Sequence, residues 1–233
     1  MISVQKLEIC YFHLFAKVAP IFALEHSGLD YIYKKPENWA ELKPTLTWGC
    51  LPCLKNLPEA HGGGELGQEA AILNYIASAA EGNKMKGEDL SEYVISQQLL
   101  GEGEDIYQGL GKIKNKLISN EAALAFWNKD NKDMMSPNGK FLYVVLQLIE
   151  NFNIKCGKSK EGKFTTSGCT VGECKLWCSL HSLTLIEPTV LDEYTGLKAF
   201  YKRFQEETAT QNILNGSKTG GVLPQYHTKP EGM

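Results

Sequence analysis

The spacing of apolar residues along the chain changes near residue 80. Before that point, stretches with every second residue apolar indicate strands, and stretches with helical spacing lie between them. The predicted order is strand, helix, strand, an irregular polar stretch, strand, a loop with one further short strand, and helix. These elements fall at residues 7–12, 18–25, 31–33, 51–54 and 67–80, with a glycine-rich loop at 57–64. The alternation predicts an α/β domain.

Beyond about residue 86 the pattern is helical throughout. Long helices are predicted at 90–117, 141–152 and 197–204, and Thr170-Val-Gly-Glu173 is a capping box that begins another helix. Gly101 and Gly103 lie inside the first long helix and each costs about 1 kcal/mol relative to alanine, which predicts a bend there. After residue 214 the chain soon becomes rich in Gly, Pro, Lys and Thr, so a loose tail is predicted over 215–233.

The composition excludes several classes of protein. The 233 residues are 43% hydrophobic and carry a net charge of −3, which leaves no basic surface for nucleic acid. The longest apolar runs are far shorter than the roughly 20 residues of a membrane helix. The first 19 residues resemble a secretory signal, but Glu8 precedes the apolar stretch, and His13 and Lys17 interrupt it. We therefore expect a cytoplasmic protein that contacts neither nucleic acid nor membrane and keeps its seven cysteines reduced.

Two cysteine patterns suggest chemistry. Cys50-Leu-Pro-Cys53 has the spacing of a redox motif, which requires a helix that begins at the first cysteine and lowers its pKa. Here the sequence continues into a loop, and a proline directly before the second cysteine suits the start of a strand. We therefore disfavour disulfide exchange without excluding it.

The second pattern consists of four cysteines near His181, which could be read as a metal site. They are Cys156, Cys169, Cys174 and Cys178. Structural zinc sites prefer cysteine pairs two to four residues apart in tight loops. Cys174 and Cys178 lie one helical turn apart on an apolar face, so we expect them to pack in the core and expect no metal.

Two further features suggest thiol chemistry of another kind. Tyr11 lies at the end of the first predicted strand, and a tyrosine hydroxyl can donate a hydrogen bond to a thiolate and keep it ionised. Gln68 and Glu69 begin a helix, where exposed N–H groups and the helix dipole favour a carboxylate ligand. On its own, a tyrosine in a strand usually only packs against its neighbours, and a polar pair at a helix start usually only caps the helix.

Five motifs in order carry a resemblance to a known family. They are Leu7-Glu-Ile-Cys-Tyr-Phe12, Asn38-Trp39-Ala-Glu-Leu-Lys43, Gly49-Cys-Leu-Pro-Cys-Leu54, Gly67-Gln-Glu-Ala-Ala-Ile-Leu-Asn-Tyr-Ile76 and Thr170-Val-Gly-Glu173. From about Leu7 to Leu214 the sequence resembles a cytosolic glutathione S-transferase of the tyrosine-using group, with the sigma class closest. The resemblance implies a thioredoxin-like, glutathione-binding domain at 1–82, an all-helical domain at 86–214 and a tail at 215–233.

The resemblance also implies the residues of a site. Tyr11 would donate its hydroxyl proton to the glutathione sulfur. Residues expected to bind glutathione are Trp39, Lys43, Leu51, Pro52, Gln68, Glu69 and Asp105, and those expected around the second substrate are His13, Phe15 and Tyr107. Pro52 falls where the family has a cis-proline, which accounts for the redox-like spacing.

Within that set the expected roles differ. Trp39 and Lys43 would hold the glycyl carboxylate, and the Leu51 backbone would pair with the cysteinyl unit as an added strand does. Gln68 and the N–H of residue 69 would hold the γ-glutamyl end. Asp105 would act on the γ-glutamyl amine of the neighbouring subunit in a homodimer.

The sequence departs from the family at two places that concern glutathione. The family has Arg-Gly-Arg-Ala-Glu where this chain has Phe15-Ala-Lys-Val-Ala19, and a serine where this chain has Glu69. A carboxylate at that position would repel the γ-glutamyl carboxylate unless its side chain turns to the amine.

We expect a detoxifying enzyme that conjugates glutathione, as co-substrate, to a small, largely apolar electrophile. A non-catalytic structural or ligand-binding protein of the same fold, and a glutathione-dependent thiol-disulfide oxidoreductase, remain as alternatives.

Overall fold

The computed structural model describes residues 6–131 and 141–233. Within them the chain forms four strands: β1 (Leu7–Cys10), β2 (Tyr31–Lys34), β3 (Cys53–Lys55) and β4 (Glu65–Gly67). The same residues form α1 (Ala19–Ser27), α2 (Trp39–Leu42), α3 (Glu69–Ala79), α4 (Leu90–Lys114), α5 (Asn120–Phe126), α6 (Leu142–Lys155), α7 (Val171–Ile186), α8 (Thr195–Glu206) and α9 (Thr208–Leu214). None of the described helices is long and apolar enough to cross a bilayer.

The strands form one mixed sheet in the order β2-β1-β3-β4. β1 runs parallel to β2 and antiparallel to β3, with Ile9 opposite Tyr33 on one side and opposite Leu54 on the other. β4 continues the sheet antiparallel to β3. Helices α1 and α3 pack together against the sheet, and Ile9, Leu54 and Ile76 are fully buried. This is the thioredoxin-like arrangement that the sequence predicts, followed by a helical part.

Local sequence explains where the elements of this first part begin and end. Gly28 has a φ of 76°, a left-handed conformation that glycine adopts without steric cost, and it ends α1 as predicted. The Leu51–Pro52 peptide bond is cis and directly precedes β3. The short helix α2 was not predicted, because the surrounding stretch is polar and contains prolines. The Asn38 side chain caps it by accepting the N–H groups of two residues in its first turn.

The helical part is built around α4 and α7, which pack closely along their length. A Cβ atom on Gly103 would lie 2.9 Å from a Lys175 side-chain carbon, and one on Gly172 would lie 1.9 Å from the Ser96 carbonyl oxygen. Both positions therefore require glycine so that the two helices can approach. α4 runs as one helix through the glycines where a bend was predicted, and Gly103 is explained by packing.

The capping box at the start of α7 is present as predicted. The Thr170 hydroxyl accepts the N–H of Glu173, and the Glu173 carboxylate accepts the N–H of Thr170. Glu173 is fully buried and its carboxylate also accepts the backbone N–H groups of Phe164 and Thr165. The motif therefore fixes the preceding loop as well as the helix end.

The end of the chain differs from the loose tail that the sequence predicts. Residues 222–227, which we call the C-terminal strap, return to the first part of the molecule. The Phe15 N–H donates to the Pro224 carbonyl at 2.7 Å, and Phe15 pairs with Gln225 in a parallel bridge. Leu223 and His227 are buried. The backbone pairing and the burial of these two side chains fix the strap in place, although its Gly- and Pro-rich surroundings predicted a loose tail.

Candidate active site

A cavity of about 500 Å³ lies where the sheet, α4 and the C-terminal strap meet. Its walls come from the loop after β1, the cis-proline turn, the start of α3, the middle of α4 and the strap. The lining residues are Tyr11, Phe12, Leu14, Ala16, Lys17, Cys50, Leu51, Pro52, Gln68, Glu69, Tyr107 and Tyr226. The size and the mixture of apolar walls with a few polar groups are typical of a small-molecule site.

Tyr11 is a buried residue in the wall of this cavity, with 4% of its surface exposed. Its hydroxyl oxygen accepts the backbone N–H of Lys17 at 2.8 Å, which leaves the hydroxyl proton free to be donated. Burial raises the pKa of Tyr11 above its usual value, and the Lys17 N–H opposes that rise only in part. At neutral pH Tyr11 is therefore a neutral hydrogen-bond donor that faces the cavity.

The cavity brings together six of the residues that the sequence analysis singled out. Tyr11, Leu51, Pro52, Gln68, Glu69 and Tyr107 all line it. Gln68 has a φ of 69°, a left-handed conformation that costs a non-glycine residue energy and that often occurs at functional sites. The strained residue lies directly before α3, so the backbone turns sharply at the edge of the cavity.

The other residues singled out from the sequence lie elsewhere. The Trp39 ring packs edge-on against Phe12 at 5.1 Å and supports the cavity wall from behind, while the side chain of Lys43 is exposed. Phe15 points away from the cavity and packs against His181 at 4.9 Å. His13 is not among the lining residues.

Asp105 is exposed on another face of α4, in a groove of about 420 Å³ between α4 and α6. It therefore cannot reach the cavity of its own chain.

Four charged residues form a compact group beside Tyr11, which we call the charge cluster: Lys17, Glu69, Glu104 and Lys175. Lys175 Nζ lies 2.8 Å from a Glu69 oxygen and 2.7 Å from a Glu104 oxygen. Lys17 Nζ lies 3.7 Å and 3.4 Å from the same two carboxylates. The cluster contains two positive and two negative groups, so it adds no net charge beside the cavity.

Two members of the charge cluster, Lys175 and Glu69, are almost completely buried. Only 3% of the Lys175 side chain and 6% of the Glu69 side chain is exposed. Burial favours the neutral amine of Lys175, but the two carboxylates outweigh it and raise the pKa. Both ammonium groups also lie over the Tyr107 ring, 4.9 and 4.8 Å from its centroid. Glu69 Oε1 is buried without a hydrogen-bond partner among the described residues.

Sequence reasoning missed four residues of this region, among them Glu104, which nothing along the chain connects to Lys175. Lys175 is a single lysine within an apolar helix, a position where a charged side chain needs a buried partner, and that signal was available. Lys17 was noted only as a departure from the family's arginines. Tyr226 had no signal, because it lies in the segment read as a loose tail and reaches the cavity only through the strap.

The two cysteines of the redox-like motif have different surroundings. Cys50 is exposed at the cavity, whereas Cys53 is buried in β3. Burial, and then the Glu65 carboxylate, raise the pKa of the Cys53 thiol to about 12. A redox-active pair needs a thiolate of lowered pKa at a helix start, and β3 follows here instead. In the described residues, no three His, Cys, Asp or Glu side chains come together as a metal site would require.

We expect the double substitution Cys50→Ser, Cys53→Ser to leave the rate of the glutathione conjugation that the sequence resemblance implies within twofold of the unmodified protein. All seven cysteines are unpaired in the structure, and we expect seven free thiols by titration after denaturation. Loss of conjugation in a double variant with an unchanged circular dichroism spectrum would restore the redox interpretation.

Comparison with known proteins gives a match at the level of structure. No family model matches the sequence. A search of curated proteins also finds no match.

Solved structures resemble the chain over nearly its whole length. A pi-class glutathione S-transferase of Onchocerca volvulus superposes with a TM-score of 0.68 and 15% identity, over 94% of this chain and 96% of its own. Prostaglandin synthase D of Nilaparvata lugens gives a TM-score of 0.65 and 18% identity, over 90% and 97%. A monomeric glutathione S-transferase of the hookworm Necator americanus also gives 0.65 and 18%, over 90% and 96%. The chain has the glutathione S-transferase fold.

Proposed function

We propose that this protein is a glutathione S-transferase that activates the glutathione thiol through Tyr11. The observation that carries the proposal is the Tyr11 hydroxyl, which is buried, neutral and already accepts the Lys17 N–H, so that its proton is directed to a ligand in the cavity. The names of similar structures support the reaction class. A detoxifying role in the cytoplasm is part of the same proposal.

The chemistry requires a thiolate. A free thiol has a pKa of about 8.5, so only a few per cent is ionised at pH 7. A hydrogen bond from Tyr11 that lowers this pKa by two units is worth about 2.7 kcal/mol. The sulfur then forms a bond to the electrophilic carbon, the leaving group departs with the bonding electrons, and the thiol proton has already passed to solvent.

The remaining cavity residues would orient glutathione. The Leu51 backbone pairs with the cysteinyl unit, and Gln68 holds the γ-glutamyl end. Trp39 and Lys43 receive the glycyl carboxylate beyond Phe12. The Glu69 carboxylate is engaged by Lys175, so we assign to Glu69 only its backbone N–H in the first turn of α3. That engagement removes the repulsion expected between a carboxylate here and the γ-glutamyl carboxylate.

The second substrate would lie against Tyr107 and Tyr226. Both residues line the cavity together with Tyr11, Tyr107 from α4 and Tyr226 from the strap. They replace the set of His13, Phe15 and Tyr107 inferred from the sequence, of which only Tyr107 lines the cavity. An apolar, flat electrophile fits such walls.

A non-catalytic ligand-binding protein of the same fold is the second candidate. It is favoured by the absence, in the loop after β1, of the arginines that the family carries there. Retention on glutathione-agarose, followed by conjugation and disulfide-reduction assays on the same eluate, separates these candidates from the oxidoreductase. Retention without either activity would support the non-catalytic protein.

We expect Asp105→Ala to raise the Michaelis constant for glutathione about tenfold, with the protein still dimeric. In a two-fold homodimer each subunit would offer Asp105, from the α4–α6 face, to the γ-glutamyl amine in the other subunit's cavity. A charge-assisted contact of this kind is worth about 1.5–3 kcal/mol.

Size-exclusion chromatography with light scattering and glutathione titration measure both quantities. A monomeric protein, or an unchanged Michaelis constant, would contradict the role of Asp105. Because the similar structure from Necator americanus is monomeric, the oligomeric state of this protein has to be measured by light scattering.

A further inference from the structure

A second cavity, of about 350 Å³, lies behind the C-terminal strap. It is bounded by α7, α9 and the strap, and no residue lines both this cavity and that of Tyr11. Successive side chains of an extended segment point to opposite sides, so Leu14 and Ala16 face the Tyr11 cavity while Phe15 faces this one. The volume is near the lower end of the roughly 300–1,000 Å³ typical of small-molecule sites.

The walls of this cavity are apolar apart from His181 and Gln225, and the described residues that line it include no Lys, Arg, Asp or Glu. The His181 ring is stacked on Trp177 at 4.8 Å and meets the edge of Phe15 at 4.9 Å. Burial lowers the pKa of His181 to about 4, so the imidazole is neutral at physiological pH. One ring nitrogen therefore carries a proton and the other is a bare acceptor.

The hydrogen bonds behind the ring decide which nitrogen carries the proton. The Thr184 hydroxyl donates its only proton to the His181 carbonyl at 3.0 Å. Tyr201 Oη lies 3.0 Å from the Thr184 oxygen and 2.7 Å from His181 Nδ1. All three contacts can be hydrogen bonds only if Tyr201 donates to Thr184 and Nδ1–H donates to Tyr201. Counting protons in this way assigns the proton to Nδ1 and leaves Nε2 as an acceptor.

Nε2 is an acceptor that the described residues leave unsatisfied. It has no hydrogen-bond partner among residues 6–131 and 141–233. Polar atoms of a nearly buried side chain are almost always satisfied by protein, water or ligand. A ligand that satisfies Nε2 in this otherwise apolar cavity therefore needs one hydrogen-bond donor.

We propose that this cavity binds a neutral, largely apolar molecule with one hydroxyl group, of the phenol class, which donates its proton to His181 Nε2. The aromatic body packs between Phe15 and Leu223. A ligand carboxylate does not fit, because Nε2 has no proton to donate to it and no cation lines the described part of the cavity. A ligand ammonium group does not fit either, because no carboxylate lines that part of the cavity to pair with it. The site is distinct from the cavity of Tyr11, and the proposal does not depend on glutathione chemistry.

The test compares two probes of nearly equal shape, 2-naphthol and 2-methoxynaphthalene, by isothermal titration calorimetry on the full chain. The ether lacks the donor proton, so it leaves Nε2 unsatisfied, and we expect 2-naphthol to bind at least tenfold more tightly. In His181→Phe the two probes should bind within twofold of each other. Equal affinities for the unmodified protein, or no detectable binding of 2-naphthol, would overturn the proposal.

A second variant locates the bound probe without altering the His181 network. Leu185, on α7, lines the cavity with 40% of its surface exposed, so Leu185→Trp should fill its mouth and weaken 2-naphthol at least tenfold. Ile154→Trp, on the exposed surface of α6, is the matched control and should leave the affinity unchanged. Unaltered binding in Leu185→Trp would place the probe elsewhere, including the cavity of Tyr11, and would equally overturn the proposal.

Discussion

Replacement of Tyr11 by phenylalanine is expected to lower kcat/KM for conjugation of glutathione to 1-chloro-2,4-dinitrobenzene by at least tenfold. The substitution removes the hydroxyl proton that would stabilise the thiolate and keeps the ring, so the fold and the affinity for glutathione should hardly change. If the hydroxyl accounts for two pKa units of the thiol, its removal lowers the ionised fraction at pH 7 from about 76% to about 3%, a loss of about 25-fold. The pH dependence of thiolate absorbance in the complex measures the pKa directly, and it should rise towards that of free glutathione.

Tyr31→Phe is the control for that experiment. Unlike Tyr11, Tyr31 is half-buried; its hydroxyl donates to Glu25 at 2.9 Å, and neither Tyr31 nor Glu25 lines the cavity. Its loss should leave kcat/KM within twofold. An unchanged pKa of the bound thiol in Tyr11→Phe would transfer the role to His13 or Cys10, the nearest alternatives along the chain.

Lys175→Met is expected to lower the free energy of unfolding by about 3–5 kcal/mol, a large part of the 5–15 kcal/mol typical of a folded protein. The substitution leaves the Glu69 carboxylate buried with Lys17, at 3.7 Å, as its nearest cation. Glu69 Oε1 already lacks a partner among the described residues, and Lys17 lies too far from Glu69 for a hydrogen bond, so it compensates only in part. Urea unfolding followed by circular dichroism gives the value.

Two further variants separate burial from charge pairing. Lys198 Nζ lies 2.7 Å from Asp192, as close as the buried pair, but both side chains are substantially exposed. Lys198→Met should therefore change the free energy of unfolding by only about 0–1 kcal/mol. Adding Glu69→Gln to Lys175→Met should recover part of the loss, because an amide replaces the unpaired charge. Equal effects of Lys175→Met and Lys198→Met would show that the charge cluster contributes little.

The sequence could predict those parts of the fold that depend on neighbours along the chain. Gly28 ends a helix because of its own conformation, and Thr170 and Glu173 form a capping box three residues apart. The position of Tyr11 at the end of β1 follows in the same way from alternation. Each of these depends on local geometry, which periodicity and turn chemistry describe.

The rest of the site depends on contacts between distant segments. Glu69 was expected at the γ-glutamyl end of glutathione, because nothing in its own neighbourhood identifies Lys175 as its partner. Gly103 was read as a weak point in a helix, although the approach of α7 is what requires it. The side of the chain to which Phe15 points is likewise set by its pairing with Gln225, which no local pattern indicates.

That pairing also has a consequence for the order in which the molecule is made. Phe15 is synthesised 210 residues before Gln225 (225 − 15). At roughly 5–20 residues per second, the two sides of the Tyr11 cavity are separated by on the order of ten seconds or more of translation. A chain halted by a stop codon before Leu223 would contain Tyr11 and the whole sheet, yet lack one wall of each cavity, so neither pocket can form until residues 222–226 have been made.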